Sequence, residues 1–286
     1  MTPLSSKPSV LIGYMVFAMF AFAVCDVGIK MMGNTLPVSQ ILFLMGSASA
    51  IFVGIGAIAR GKRLLDAKVF EPLFILRTVL EFIGGLAFIS AFVFGSLAIS
   101  SAILQAVPVV VAFGGTWFFG QRVSIRQWVL ISAGLIGVMI ILSPWNASFQ
   151  PVSLLAIVAV ICLAGRDLIM RSMGRTMDTG VVSFWAFAGT GLGGFLMQPW
   201  MREWQPLDAE NWSWLGLTVT TLILAYTAVV RATREGQVAV IAPFRYSRLL
   251  FAGLLAASLF GEAITPSLLI GSAFIVASGI LTLRQA

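Results

Sequence analysis

Four arginines and two carboxylates interrupt long apolar runs, and these are the residues through which the chain could do chemistry. Arg77 and Glu81 stand four residues apart inside a run that is otherwise apolar. That spacing puts both on one helical face, close enough to pair. Arg166 and Asp167 sit side by side in a second such run. The densest case is GQVAVIAPFRYSRLLFAGLLAASLFGE, Gly236 to Glu262, which carries Pro243, Arg245, Tyr246, Ser247 and Arg248. It is apolar for roughly the 20 residues that a bilayer-crossing helix needs. A guanidinium at membrane depth costs about 2.5–3.5 kcal/mol on insertion scales, so it faces a partner or a watery cavity. Pro243 also frees a backbone carbonyl that hydrocarbon cannot satisfy. Arg77, Arg166, Arg245 and Arg248 outnumber Glu81 and Asp167. The surplus positive charge calls for backbone carbonyls, water or the carboxylate of a ligand.

The elements that must hold these groups are membrane helices. The chain has 286 residues, 59% hydrophobic and 10% charged, with mean hydropathy +1.00; soluble domains carry about 25% charged residues. Apolar runs separated by charged or turn-rich punctuation predict ten spans, at about 9–32, 37–59, 70–94, 98–119, 125–143, 151–172, 179–199, 211–232, 237–259 and 265–283. The connectors are short, so no soluble domain is expected between them. The segment MTPLSSKPS leads into the first run without a small-residue cleavage site, which predicts a retained helix. With the N-terminus inside, Lys7, Arg60, Lys62, Arg63 and Lys68 join most other bases on the cytoplasmic side. The outer side keeps Lys30 and Arg202. Both termini are therefore expected in the cytoplasm. The pI of 10.1 belongs to this topology and not to nucleic-acid binding.

Several chemistries drop out. Histidine is absent, which removes the usual metal ligand and proton shuttle; neither a metal nor a cofactor is expected. Cys25 and Cys162 lie in apolar runs and are expected as packed thiols. Gly56 to Arg63, GAIARGKR, lacks the Ser or Thr of a P-loop, and Gly189, Gly191 and Gly194 spell GxGxxG where no βαβ unit exists. Both are chance matches. Gly46, Ala50 and Gly54, like Gly189 and Gly193, form small-residue ladders suited to close helix packing.

Depth along each run separates the polar groups. Arg77, Glu81, Arg166, Asp167, Arg245 and Arg248, with Tyr14, Trp185, Tyr226 and Tyr246, all fall on the cytoplasmic side of centre. For Glu81 and Arg245 the depth favours a polar network facing the interior. For Arg166 and Arg248, snorkelling to the interface is an equal alternative. Asp26 lies in the outer third of the first run, where a link to Lys30 and a proton-coupling role both stand. The outer half otherwise offers scattered groups such as Gln105.

The chain repeats itself. Asp26, Lys30 and Gly33 in CDVGIKMMG correspond to Asp167, Arg171 and Gly174 in RDLIMRSMG at an offset of 141. Phe43 and Phe184 keep it, as do Gly120 and Gly261, while Pro108 and Pro243 slip to 135. Five spans per half is odd, so the second half must enter the membrane upside down. The expected fold is ten helices as two inverted five-helix repeats, residues 1–146 and 147–286, an architecture of transporters with midplane sites.

The inverted halves, the Gly120-Gln121 and Gly261-Glu262 turns closing each fourth helix, and the APFRY start of the ninth together resemble a known family. The chain is similar to the ten-helix EamA-type exporters of the drug/metabolite transporter superfamily, over nearly its whole length. Gln121 departs from the usual Gly-Glu, which argues against an essential acid there. The resemblance implies export of small metabolites, often amino acids, across a bacterial inner membrane. It also implies a central cavity lined by the third, fourth, eighth and ninth helices. Those helices supply Arg77, Glu81, Phe82, Gln105, Pro108, Tyr226, Arg245 and Tyr246, and Trp185 joins them by depth, as a substrate site suited to an aromatic ring bearing a carboxylate. Tyr14, Arg166, Asp167 and Arg248 are the expected cytoplasmic gate, with the relaxed state open to the outside. The expected partners are a small-molecule substrate and the lipid bilayer, and a monomer suffices. Import or exchange of a charged nucleoside-type metabolite is the rival within the fold. A membrane enzyme is disfavoured, because few clustered carboxylates remain to act as acid or base.

Overall fold

A computed structural model describes residues 8–119, 125–143, 150–173, 177–235 and 242–283. The described residues form eleven α-helices and no strand: α1 (Pro8–Met32), α2 (Val38–Ile58), α3 (Pro72–Val93), α4 (Leu97–Leu104), α5 (Val107–Phe119), α6 (Ile125–Leu142), α7 (Leu154–Ser172), α8 (Thr179–Leu196), α9 (Ala209–Glu235), α10 (Ser247–Phe260) and α11 (Pro266–Leu283). Among the described residues, seven stretches are long and apolar enough to cross a membrane: α1, α2, α3, Leu97–Gly115, Pro151–Met170, α8 and Ala209–Ala232. Shorter apolar helices lie in α6 and α11.

Two of the expected spans are not single α-helices throughout. The stretch expected at 98–119 divides into α4 and α5, with Gln105 as the C-cap of α4. The stretch expected at 237–259 contains a 3-10 turn, Ala242–Tyr246, before α10 begins. Proline chemistry accounts for both. Pro108 is the second residue of α5 and Pro243 the second of the 3-10 turn. A proline is cheap where a helix begins, because its missing N–H has no intrahelical partner there anyway. In each span a helical segment thus begins with its proline as second residue. Gly261 closes α10 at φ +64°, the left-handed cap that glycine takes without a Cβ penalty. The Gly120-Gln121 turn lies outside the described residues, as do Lys7, Gly174, Arg175 and Arg284.

Helices pack in long antiparallel pairs: α2 on α8, α1 on α9, α3 on α7, and α6 on α11. Behind these, α1 and α4 pack on α10, and α5 on α7. Small residues set the closest approaches, as the ladders predict. A Cβ on Gly46 would lie 2.5 Å from the Gly191 nitrogen, and one on Gly271 would lie 2.5 Å from the Gly137 carbonyl oxygen. Gly193 makes room for the Phe82 ring and Gly189 for Thr78. Cys25 and Cys162 are free and buried. Helix ends collect on two faces. One bears the start of α1 and the basic α2–α3 connector, where Lys62 meets Asp178; this is the basic face. On the opposite face Gln40 exchanges hydrogen bonds with the backbone of Gln205.

Candidate functional site

The site grows from the α3–α7 pair. Glu81 lies nine residues into α3, about 14 Å from its basic end. One carboxylate oxygen accepts from Arg77 Nη2 at 2.7 Å, one turn back on the same helix. The other accepts from Arg166 Nη1 at 2.6 Å across the interface with α7. Arg166 also donates through Nε and Nη2 to Asp167 Oδ1, at 2.9 and 2.7 Å. Two guanidiniums and two carboxylates therefore form one chain of contacts. The i, i+4 pairing of Arg77 and Glu81 is as expected, and Arg166 belongs to the network instead of snorkelling away.

The 3-10 turn before α10 carries the remaining cation. Arg245 is exposed and makes no ion pair among the described residues, yet it lies within electrostatic reach of Asp167 and Arg166. Beside it Tyr246 is buried, and its hydroxyl has no hydrogen-bond partner. Arg77 Nε and Nη1, Arg248 Nε and Gln105 Nε2 are likewise buried without one. Every one of these nitrogens can only donate. Leaving a buried donor unmade costs about 1–3 kcal/mol, so the interior is short of acceptors. Tyr226 bonds the Ser183 hydroxyl, sets its ring 5.9 Å from that of Phe187, and lies within electrostatic reach of Arg77.

Other expected site residues are placed elsewhere. Phe82 rests on Gly193, filling the gap that glycine leaves between α3 and α8. Pro108 is half-buried at the start of α5. Trp185 donates to the Leu64 carbonyl at 2.9 Å and meets Phe70 edge-on, which puts it at the basic rim. Tyr14 lies against Arg231, 5.9 Å from ring centre to guanidinium, between α1 and α9 and apart from Glu81. Arg248 departs most from expectation. It begins α10 and reaches Asp26 at 2.6 Å, with its guanidinium over the rings of Phe22 and Phe88. Its ion partner is thus on α1 and not in the α3–α7 cluster with Arg166 and Asp167. Asp26 accordingly has Arg248 for its partner, and Lys30 goes elsewhere.

Lys30 belongs to a second polar cluster that residue spacing did not reveal. On the opposite face Glu262 takes Lys30 Nζ at 2.5 Å and the Ser96 hydroxyl at 2.6 Å. It also accepts the backbone N–H groups of Leu97 and Ala98 at 2.8 and 3.0 Å. Lys30 donates further to the Gly95 carbonyl at 3.0 Å and covers the Phe260 ring. One carboxylate thus caps the start of α4 and ties it to the ends of α1 and α10. The outer half is not limited to scattered groups. Burial raises the Glu262 carboxyl, but the bonds from Lys30, Ser96, Ala98 and Leu97 outweigh it and hold it below the usual range.

The chain is similar to several known transporters. An S-adenosylmethionine uptake transporter of Rickettsia bellii is 24% identical over 280 residues, covering 94% of this chain and 91% of that protein. A pseudopaline exporter of Pseudomonas aeruginosa is 21% identical, covering 82% of each chain. A riboflavin transporter of Vibrio cholerae is 28% identical over 62% of this chain and 59% of its own length. A solved crystal structure shares the fold with a TM-score of 0.63 over 96% of this chain and 98% of that one, at 17% identity. The model of the EamA-like transporter family matches twice, over residues 10–143 and 150–284. With both stretches matched, the chain belongs to the EamA-like transporter family, within the drug/metabolite transporter superfamily.

Proposed function

We propose that this chain is a secondary transporter that exports small amphipathic metabolites bearing a carboxylate, with aromatic amino acids foremost, by alternating access. The observation that carries it is Arg245: an exposed guanidinium at membrane depth, without an ion pair among the described residues, beside donors that lack acceptors. A substrate carboxylate supplies both the missing charge and the missing acceptors. Tyr226 and Phe187 offer ring faces for an apolar side chain. Arg77, Glu81 and Arg166 hold the floor of the site rigid, and Gln105 at the break of the fourth span lends an amide donor.

Helix pairing and the double family match support two inverted halves, 1–146 and 147–286. Spans two and seven pair with each other, as do five and ten, while the pairing of one with eight mirrors that of three with six. A two-fold axis in the membrane plane yields this set. In this reading the protein works as a monomer in a bacterial inner membrane with both termini cytoplasmic. The α3–α7 cluster seals the basic side and the Glu262 cluster seals the other, each opening while its counterpart closes.

The second reading is import. It is favoured by the Rickettsia relative, whose name is that of an uptake transporter. Proteoliposomes loaded with labelled L-phenylalanine, L-tryptophan or a nucleoside separate the two, with and without a pH gradient. Gradient-driven efflux of the amino acids, lost in Arg245→Ala, is the expected result. Competition by nucleosides alone overturns it in favour of the second reading.

A further inference from the structure

Among the described residues, the Asp26–Arg248 ion pair lies inside the helix bundle and outside the substrate site. Asp26 is 4% exposed, and Arg248 is its ion partner among the described residues. Three carboxylates lie at membrane depth, and they differ in what protonation would cost. Glu81 is held by two guanidiniums, so neutralising it strands both. Asp167 shares Arg166 with Glu81 and is the most exposed of the three. Neutralising Asp26 leaves one guanidinium, and that one already lies 5.1 and 5.6 Å from the ring centres of Phe22 and Phe88. An aromatic face stabilises a desolvated guanidinium, so Arg248 keeps support when its carboxylate is neutral. The pair therefore has two tolerable protonation states, while the Glu81 cluster has one.

Its place in the fold makes the difference mechanically useful. Asp26 lies on α1, and Arg248 lies in the first turn of α10, three residues past Arg245 and directly after the 3-10 turn. The charged and titratable neighbours are few. Cys25 and Lys30 share α1, and Arg245 and Tyr246 come from the turn. Glu81 on α3 lies seven residues, about 10 Å, from Phe88. The facing groups on α9, Thr218 and Thr221, are neutral.

We propose that Asp26 is the proton-binding site that couples transport to the proton gradient. A proton taken up on the Asp26 carboxylate ends the ionic bond to Arg248. The guanidinium stays charged over the Phe22 and Phe88 faces, and α10 is released from α1 together with the turn that carries Arg245. Loss of the proton restores the bond. This rests on the transporter reading above, but its first test needs no substrate.

Asp26→Asn mimics the protonated state, so the α1–α10 tie should be loose in that variant at any pH. Cys25, buried next to Asp26, reports this through N-ethylmaleimide labelling of the full chain in liposomes, read by mass spectrometry with Cys162 as the internal standard. At pH 7 the Cys25 rate should rise about tenfold or more in Asp26→Asn, the loss of one charge-assisted hydrogen bond, and stay near wild type in Asp26→Glu. In L-phenylalanine transport, Asp26→Asn should lose pH-gradient-driven accumulation and retain equilibrium exchange, whereas Asp26→Glu keeps both. Equal Cys25 labelling in wild type and Asp26→Asn overturns the proposal, and so does full gradient-driven transport by Asp26→Asn. If no amino acid moves through the wild type in either mode, the substrate reading fails and the labelling result decides this one alone.

Discussion

The α3–α7 cluster and the Glu262 cluster are both built from carboxylates and cations, yet they end in opposite states. Glu262 receives four donors, from Lys30, Ser96, Leu97 and Ala98, and neither of its oxygens is left without one. Glu81 is also saturated, but the guanidiniums around it are not: Arg77 keeps two buried nitrogens without acceptors, and Arg245 has no ion partner among the described residues. A saturated cluster can only hold helices together or let them go. An unsaturated one has room for a ligand, because each orphaned donor lowers its cost when an acceptor arrives. On the proposed reading, this contrast separates a fastening from a binding site better than charge or depth does.

The contrast breaks first at Glu81. Glu81→Ala strands Arg77 and Arg166 beside each other, which should cost about 3–5 kcal/mol, the penalty for breaking a buried pair from one side. Thermal unfolding in detergent should show it as the largest loss of any single change proposed here. A variant that stays as stable as wild type would mean that the cluster is already hydrated and is no floor. Glu262→Ala exposes the start of α4 and frees Lys30, for about 1–3 kcal/mol, less because the site lies at a helix end nearer water.

Glu262 also gives the contrast a pH axis. Its carboxyl is held below the usual range in the folded protein. The stability it contributes is therefore fully present above its unfolded value of about 4.3 and is lost as pH falls through the folded value. Melting temperature measured from pH 7 downward should fall in the acid range, and Glu262→Gln should flatten that fall. If the two profiles coincide, the four hydrogen bonds contribute nothing to stability and the fastening role fails.

How much of this was legible in the sequence depends on whether a residue's role is local. The Arg77–Glu81 pair could be read because it needs only helical geometry and the cost of charge in a bilayer. Gly46 and its ladder could be read for the same reason: a missing side chain acts on whatever helix comes near. The Glu262 cluster could not, since its partners Ser96 and Lys30 lie 166 and 232 positions away and look ordinary at helix ends. Arg248 was misplaced because its depth was counted along an unbroken span. The 3-10 turn restarts the helix at Ser247, and the side chain then reaches Asp26. The internal repeat is silent on the same point. Asp26 and Asp167 correspond at offset 141, but the first finds its cation on another helix and the second finds it in Arg166 next door. Correspondence in sequence sets where a group sits on its helix, and what faces it is set by the other half.

The smallest stability effect should belong to the residue with the largest functional one. Arg245 is exposed and donates to no described residue, so Arg245→Ala breaks no hydrogen bond or ion pair among the described residues. Surface changes of that kind stay within about 0.5 kcal/mol, since the attraction to Asp167 and the repulsion from Arg166 oppose each other. Transport is another matter. If a substrate carboxylate docks there, the variant loses a charge-assisted contact worth about 1.5–3 kcal/mol, which is roughly ten- to hundredfold in apparent affinity. Arg245→Lys should restore part of this, since an ammonium replaces the charge without the bidentate fork. Melting temperature and L-phenylalanine exchange, measured on the same preparations, test both halves together. A destabilised Arg245→Ala would mean that the guanidinium is a structural partner after all. A stable variant with undiminished exchange would place the substrate elsewhere, and the orphaned donors around Arg77 would then need another acceptor.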